Sequence, residues 1–455
     1  MKNLKNYLFA VISLFFAASL TAQKQTPPEG GKPKDFKLPE KTMKKLPNGM
    51  RTTMVQYGDV PKTSISLIIK AGNAQESENQ VWLADLMGQL MNQGTTTMDF
   101  QTLAKKVAGM GGQVNVSVGI DETTISGSVL SEFAPELVKV IADLVINPAF
   151  PESELARIKN DLQRNLAVQQ SVPQNQAIAK FYDVMYKDQS YGNYFPTKEM
   201  IDSYTIGMVK DFYNKNLGAK RAVLYVAGKF DEAAVNKAVT TNFSKWKAGN
   251  EVSYPKEVAY KVNDTKIIDR KNAPQTTIVL GLPTMSPTNS DYLASTVANA
   301  LLGGSFGSRI TSNIREDKGY TYSPRSLIAD RKMGSVWMEQ ADVTAAHTID
   351  ALKEIDKEIK LLQSEAPSKK ELEGIQNYQA GVFVLVNSTP FGIINQLNFL
   401  DKYGLPDSYL TNYVKNIYMI TPQKVSDIVK NNYQREKMTL VLVGDKESIE
   451  KQAGE

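Results

Sequence analysis

Residues 301–323 read LLGGSFGSRITSNIREDKGYTYS. The three glycines near the start permit a tight turn, and we expect a helix from Ser308 to Asp317 behind them. The spacing Arg-x-x-x-Gly-x-x-Tyr then joins Arg315 to Tyr322. A fixed guanidinium and a phenol hydroxyl can stabilise a developing oxyanion, so this pair is a candidate for chemistry. The structural alternative is that Arg315 pairs with Glu316 or Asp317, and that Tyr322 is a half-buried strand aromatic.

The composition is that of a globular protein, because 42% of the 455 residues are hydrophobic and 22% are charged. This length predicts roughly two to four domains. The 53 basic and 48 acidic residues nearly cancel, which excludes the strongly basic footprint of a nucleic-acid-binding protein. The chain has one histidine, His347, and no cysteine. Disulfides and a cysteine-linked lipid anchor are therefore excluded, and we expect His347 to be a solvated or capping residue.

The N-terminal residues 1–22 have the pattern of a cleaved signal peptide, with a basic start, an apolar run and a small-residue exit at Ala22. An uncleaved membrane anchor is the alternative, although the apolar run is too short to span a bilayer. The polar, proline-rich residues 23–41 predict a disordered spacer. We expect an exported, periplasmic protein that has no membrane span after signal cleavage.

The chain contains an internal repeat. Residues 209–228 resemble residues 425–444, each being a helix pattern followed by an apolar strand and a glycine turn. A second pair of similar segments, around Glu154 and Glu371, lies at nearly the same offset. A shared offset predicts duplication of a unit of roughly 200 residues.

Each half mixes strands and helices. Residues 63–69 alternate as a half-buried strand, residues 113–130 contain two strands, and residues 155–166 have helical spacing. This order predicts an α+β fold of two homologous α/β-sandwich halves, each a mostly antiparallel sheet covered by helices on one face. The predicted bounds are an N-terminal domain at 42–247, a polar linker at 248–263 and a C-terminal domain at 264–455.

The opening stretch resembles the second-half signature of the insulinase (pitrilysin-type, inverzincin) metallopeptidases. The resemblance covers about residues 41–447, and it implies two halves arranged as a clam shell. In this family a helix carries H-x-x-E-H, whose two histidines bind zinc while the glutamate acts as base. The resemblance also implies that Arg315 and Tyr322 contact the substrate and its transition state, and that Gly303 and Gly304 contribute to substrate binding.

The zinc motif itself is absent. The family's motif helix ends in Gly-Thr, here Gly94-Thr95, so its histidine positions fall on Asp85 and Gln89 and its glutamate position on Gly88. The third ligand position reads Asn165. Zinc of the family's kind cannot be bound by such residues, so we expect this chain to bind no metal. The oxygens of Asp85, Gln89 and Asn165 leave open a weak site for Ca²⁺ or Mg²⁺, although a residual polar patch is the simpler interpretation.

Residues 111–116, GGQVNV, resemble the family's edge strand, to which an extended peptide adds as a further strand. This implies a substrate contact at Asn115. An ordinary hairpin strand is the alternative.

The resemblance implies a pseudo-peptidase, the non-catalytic subunit of the bacterial two-subunit type. It would form a heterodimer with a catalytic H-x-x-E-H subunit that brings the zinc, and the pair would hydrolyse unfolded peptides. The alternative is an exported peptide-binding or assembly protein without a catalytic role, since fold does not decide function.

Overall fold

The computed structural model describes residues 36–260 and 262–454. The predicted signal peptide (1–22) and most of the predicted spacer (23–41) lie outside these residues. At the end of that spacer, Phe36 meets Phe383 edge-on with ring centroids 5.2 Å apart, and Leu38 packs against the same cluster. The described part of the spacer is therefore packed rather than disordered, because its apolar side chains find a hydrophobic surface.

Eleven strands in the described residues form two sheets, one in each half. The strands are β1 Lys41–Lys45, β2 Arg51–Gln56, β3 Lys62–Ile69, β4 Gln113–Val118, β5 Thr123–Leu130, β6 Ala222–Gly228, β7 Thr265–Asp269, β8 Gln275–Thr284, β9 Arg325–Arg331, β10 Gly334–Thr344 and β11 Thr439–Gly444. Their order is β1-β2-β6-β3-β5-β4 in the first sheet and β7-β11-β8-β10-β9 in the second. Each sheet has one parallel pair, β2 with β6 and β7 with β11, and its other pairs are antiparallel.

Several α-helices begin where a short polar side chain accepts a backbone N–H, as at Asp99, Thr205, Ser368 and Thr421. The helices of the first half are Leu83–Met91, Phe100–Gly109, Ala134–Ile146, Glu152–Ser171, Pro173–Met185, Lys198–Ser203, Ile206–Asn216 and Glu232–Phe243. Those of the second half are Tyr292–Asn299, Thr348–Ser364, Lys369–Val386, Pro390–Tyr403, Ser408–Thr411, Tyr413–Met419, Pro422–Asn432 and Lys446–Gly454. The α+β architecture of two similar halves in a clam-shell arrangement is confirmed.

Strand β3 differs from the prediction of a half-buried strand. Its inward residues, such as Ile65, join the main core of the first half. Its polar residues Ser64 and Ser66 are buried as well. They are buried because the helix Pro390–Tyr403 of the second half covers the outer face of this sheet, where Ile68 contacts the cluster of Ile393 and Leu397. The expectation of helices on one face of each sheet was therefore too simple.

The two halves exchange one helix each. The helix Pro173–Met185 leaves the first half and packs on the second sheet, in a cluster that joins Phe181 to Val279 and Val441. A side chain at Gly281 would place its Cβ 2.8 Å from Phe181, so this glycine admits the helix. The helix Pro390–Tyr403 makes the reciprocal contact. Both helices begin with proline at equivalent positions of the internal repeat, so the exchange follows the predicted duplication.

Charged side chains reinforce this junction. The Arg51 guanidinium in the first sheet makes two hydrogen bonds of 2.6 Å to Asp401 on the exchanged helix, and Lys70 lies 3.0 Å from the same carboxylate. Burial alone would raise the pKa of Asp401, but its bond to Arg51 and the charge of Lys70 hold it below the usual value. In a second pair, Lys402 donates to the buried Asp121 at 2.7 Å.

The segment between the halves has no helix or strand in its described residues after Phe243, where a helix ends, and before Thr265, where β7 begins. It is nevertheless attached to the first half, because the buried Glu257 accepts a hydrogen bond of 2.7 Å from Ser190.

No individual helix among the described residues has the length and apolar character needed to cross a membrane. One bent pair, Lys369–Val386 with Pro390–Tyr403, meets that measure when taken together.

Candidate functional site

The helix Leu83–Met91 carries Asp85, Gly88 and Gln89, the positions at which the resemblance places two of the family's zinc ligands and its base. It begins after Trp82, whose φ of 68° is in the left-handed region. Glu76 fixes this start by accepting hydrogen bonds from the backbone N–H groups of Trp82 (3.1 Å) and Ala84 (2.7 Å). Burial raises the pKa of Glu76 to about 8. The two hydrogen bonds from Trp82 and Ala84 satisfy backbone N–H groups at the start of the helix.

Asp85, Gln89 and Asn165 line one cavity of about 340 Å³. The structure therefore brings together three of the four degenerate ligand positions, although they lie on two helices 80 residues apart in the sequence. The side-chain amide of Asn73 donates to the Asp85 carboxylate at 2.6 Å. Burial raises the pKa of Asp85. We call this space, with its lining residues, the slot cavity.

Gly88, the fourth degenerate position, does not line the slot cavity. A Cβ at this position would lie 2.8 Å from Cγ2 of Val118 on β4. The helix therefore lies close to the edge strand, and a glutamate side chain at this position would require Val118 to shift.

These residues do not fit the family's zinc. Within the described part of the chain, no group of three or more His, Cys, Asp or Glu side chains is placed to hold a metal ion. The slot cavity offers one carboxylate, already hydrogen-bonded, together with neutral amides. A hard cation needs about six to eight oxygen ligands, so this donor set does not favour Ca²⁺ or Mg²⁺ either.

Arg315 and Tyr322 form a second candidate site, and neither lines the slot cavity. The Arg315 guanidinium lies between two aromatic rings, 4.4 Å from the centroid of Phe306 and 4.9 Å from that of Tyr322. Its Nε is 3.2 Å from Glu316, so the predicted pairing with a neighbouring acid is present. Tyr322 is 79% exposed and Phe306 is 71% exposed, so Tyr322 is not a half-buried aromatic. We call these three residues the Arg315 clamp.

The backbone before the Arg315 clamp is unusual. In place of the predicted α-helix from Ser308 to Asp317, the segment Thr311–Asp317 is a π-helix, and so is Ala300–Gly304. Such segments are rare in proteins as a whole, but those that occur are often found at functional sites.

Gly303 and Gly304 are required by packing. A Cβ at Gly303 would lie 2.6 Å from both Oε2 of Glu339 and Oγ of Ser326, and a Cβ at Gly304 would lie 2.4 Å from Nδ2 of Asn299. Glu339 is completely buried, and neither of its carboxyl oxygens has a hydrogen-bond partner among the described residues. Burial therefore raises the pKa of Glu339 well above its usual value. The buried Glu339 carboxyl group thus packs directly against the turn at Gly303. The apolar residues around Glu339 in the sequence did not predict this contact.

Asn115 is exposed on β4, which is the last strand of the first sheet. One side of this strand has no neighbouring strand in the described structure, but the Asn92 side chain bonds there to the backbone N–H and C=O of Val116, at 3.0 Å each, so a peptide has room to pair only beside that residue.

His347 lies at the start of the helix Thr348–Ser364, where its side chain makes no capping hydrogen bond. Its ring stacks on Tyr320 at 4.4 Å, and its Nδ1 is 3.5 Å from the Asp350 carboxylate. It belongs to neither candidate site.

Arg331 also lines the slot cavity and comes from the second half, although no sequence pattern indicated it as a site residue. It is the last residue of β9, and only the packing of the β9–β10 hairpin against the first half places it there. The backbone N–H of Lys332, the next residue, donates to Asp121 of the first half at 2.8 Å.

Comparison with known proteins agrees with this architecture. Residues 53–196 match the insulinase family (peptidase family M16), and residues 203–378 match the family's inactive domain. An uncharacterized zinc protease of Rickettsia bellii is 28% identical over 281 residues, 61% of this chain and 68% of the relative. A non-peptidase homolog of Helicobacter pylori is 23% identical over 399 residues, 85% of this chain and 90% of the relative.

Among solved structures, a peptidase M16 inactive domain from Pseudomonas fluorescens superposes with a TM-score of 0.83 at 22% identity, covering 89% of this chain and 98% of that one. The two sheets with their exchanged helices, the family matches over both halves and the missing zinc ligands lead to one conclusion. The chain belongs to the M16 (insulinase) peptidase family, and other residues stand at the positions where that family's zinc ligands are expected.

Proposed function

We propose that this chain is the non-catalytic subunit of a periplasmic two-subunit zinc peptidase. In this proposal a partner chain of the same family holds the zinc on its H-x-x-E-H helix, and that zinc supplies the activated water. This chain contributes the Arg315 clamp and helps to enclose an unfolded peptide.

The observation that carries the proposal is the exposure of the Arg315 clamp. The guanidinium is restricted in orientation by its contacts with two exposed rings, and the Arg315 side chain remains 23% exposed. Restricted donors are effective in catalysis because they do not have to reorient when charge develops. The clamp does not line the slot cavity of its own chain, so a reacting centre beside it has to be completed by another chain.

The edge strand β4 supports peptide binding in the same complex at the positions beside Val116, whose own backbone groups bond to Asn92. An extended peptide paired there forms backbone hydrogen bonds that do not depend on its sequence. Asn115, which points to the exposed side, would contact such a peptide.

The test is the peptidase rate of the assembled heterodimer. Arg315→Ala and Tyr322→Phe should each lower the rate by about a hundredfold, the usual effect of removing one oxyanion-directed donor. Assembly and melting temperature should stay as in the unaltered chain, because both side chains contribute little to the core. Arg325→Ala is the matched control, since it removes an exposed arginine of the same half whose guanidinium bonds to Gln340.

An unchanged rate in both clamp variants, with normal assembly, would favour the alternative of an exported binding or assembly protein. In that case the clamp would be a surface feature, and the complex would owe its rate to the partner alone.

A further inference from the structure

Arg331 is a buried cation with unused hydrogen-bonding capacity. Its residue is 9% exposed, and its Nη1 donates to the backbone oxygen of Tyr191 at 2.7 Å. A guanidinium has five N–H donors, and the others have no acceptor among the described residues. No described carboxylate lies within ion-pair distance of it either, although such pairs are found for other arginines of the chain.

Aromatic rings partly compensate this charge. The guanidinium lies 3.8 Å from the ring centroid of Tyr182, 4.9 Å from that of Tyr191 and 5.4 Å from that of Tyr186. Such contacts are favourable when they are desolvated, but a ring offers no hydrogen-bond acceptor comparable with an anion. Burying a cation without an anion is costly. Arg331 is also one of the residues that line the slot cavity.

The other walls of the slot cavity carry amides, aromatic rings and the Asp85 carboxylate, which accepts a hydrogen bond from Asn73 and whose pKa is raised by burial. Gln89, Asn165 and Asn193 line it, and their side chains make no hydrogen bond within the described structure. Each amide has both donors and an acceptor, which is the combination that a peptide group requires. On another wall, Phe195 meets Trp82 edge-on at 6.2 Å and Tyr194 edge-on at 4.8 Å, a surface suited to an apolar side chain.

The size of the slot cavity limits how much peptide enters. Its volume of about 340 Å³ is at the lower end of the roughly 300–1,000 Å³ typical of small-ligand sites. This space accommodates the end of a chain more readily than a segment that passes through.

We infer that the slot cavity binds the C-terminal end of a peptide, with the terminal carboxylate on Arg331. Gln89, Asn165 and Asn193 bond to the last peptide groups, and the final side chain lies against Trp82 and Phe195. The position that holds zinc in active relatives is thus converted into a carboxylate site, completed by an arginine from the other half. This binding requires no partner chain and does not depend on the proposed catalytic role.

The experiment measures binding of two probes to the full chain by calorimetry. These are acetyl-Ala-Ala-Phe as the free acid and the same peptide as its C-terminal amide. The acid should bind about tenfold more tightly or better, because a charge-assisted hydrogen bond is lost on amidation. Arg331→Gln should remove this difference, and Arg331→Lys should keep part of it. Arg325→Gln is the matched control on the same strand and should leave the ratio unchanged.

Further probes separate the alternatives. Asn165 is exposed on its helix, so Asn165→Leu should not affect folding. This variant should weaken the binding of both probes while preserving the ratio of their affinities, and it tests the site even if Arg331→Gln does not fold. Equal binding of acid and amide by the unaltered chain would overturn the inference. So would equally tight binding of acetyl-Ala-Glu-Ala-amide, which carries an internal carboxylate, or tight binding of neutral chitotriose that is insensitive to Arg331→Gln. Loss of the proposed catalytic role would not affect these results, because Arg315→Ala should leave the acid-to-amide ratio intact.

Discussion

Replacing Asp121 with asparagine should destabilise the whole chain, because this buried carboxylate joins the two halves. Its side chain is 1% exposed and that of its partner Lys402 is 14% exposed, with 2.7 Å between the charged atoms. It also accepts hydrogen bonds from the Tyr191 hydroxyl and from the backbone N–H of Lys332. Asparagine keeps the shape and one acceptor but leaves the ammonium of Lys402 without its anion.

The expected magnitude follows from that burial. Removing one partner of a buried ion pair costs about 3–5 kcal/mol, and the retained acceptor places Asp121→Asn near 3 kcal/mol. The folded part has about 420 residues. At about 2.1 cal/mol/K per residue, its unfolding entropy is about 0.9 kcal/mol/K, so the melting temperature should fall by about 3 °C.

Asp407→Asn is the matched control. It removes the anion of another ion pair between the halves, that of Lys41 with Asp407, but here the side chains are 23% and 48% exposed. Exposed pairs contribute about 1 kcal/mol or less, so the melting temperature should fall by about 1 °C at most. The assay is thermal unfolding followed by circular dichroism, with urea midpoints as a second measure. Equal shifts for the two variants would refute the reasoning that burial, rather than the presence of a charge pair, decides the energy. The double variant Asp121→Asn with Lys402→Met should recover part of the loss, since it leaves no unpaired charge.

Three further predictions concern the turn before the Arg315 clamp and the leader. Glu339→Gln should remove a pH dependence of the free energy of unfolding, because the pKa of Glu339 is raised in the folded chain. The stabilisation that Glu339 provides is complete below its unfolded pKa of about 4.3. It is lost as pH rises through the folded pKa. The urea midpoint of Glu339→Gln, relative to that of the unaltered chain, should therefore rise between pH 5 and pH 8. A constant difference between the two midpoints over this range would contradict this. Gly303→Ala should cost about 1–3 kcal/mol through overpacking, whereas Gly307→Ala, whose Cβ would meet nothing within 4 Å, should be nearly neutral in the same denaturation assay. Intact-mass measurement of the exported protein should show a chain that begins near residue 23, and a chain that still begins at Met1 would exclude signal cleavage.

Local patterns were sufficient to predict many individual elements. The two strands within residues 113–130 and the helix through residues 155–166 were predicted correctly, because alternation and helical spacing are local properties. The internal repeat likewise predicted two similar halves.

Long-range packing was not predictable in the same way. The helix Pro173–Met185 shows an apolar face in the sequence, but nothing in that pattern states that the face packs on the sheet of the other half. Arg331 was missed for the same reason, since it lies 166 residues after Asn165 and meets it only in the folded chain. Glu339 was missed because a single acid within an apolar strand carries no signal of its burial.

The central claim is that the zinc and the Arg315 clamp of one peptidase come from two different chains, and reconstitution tests this most directly. The mature chain, each H-x-x-E-H member of the family from the same genome, and their 1:1 mixtures should be assayed on an unfolded peptide, with zinc measured in every sample. The account predicts that this chain alone holds less than stoichiometric zinc and has no peptidase activity, and that one mixture is active while its separate components are not. One tightly bound zinc per chain with activity in this chain alone, or a partner that is fully active without it, would contradict the account.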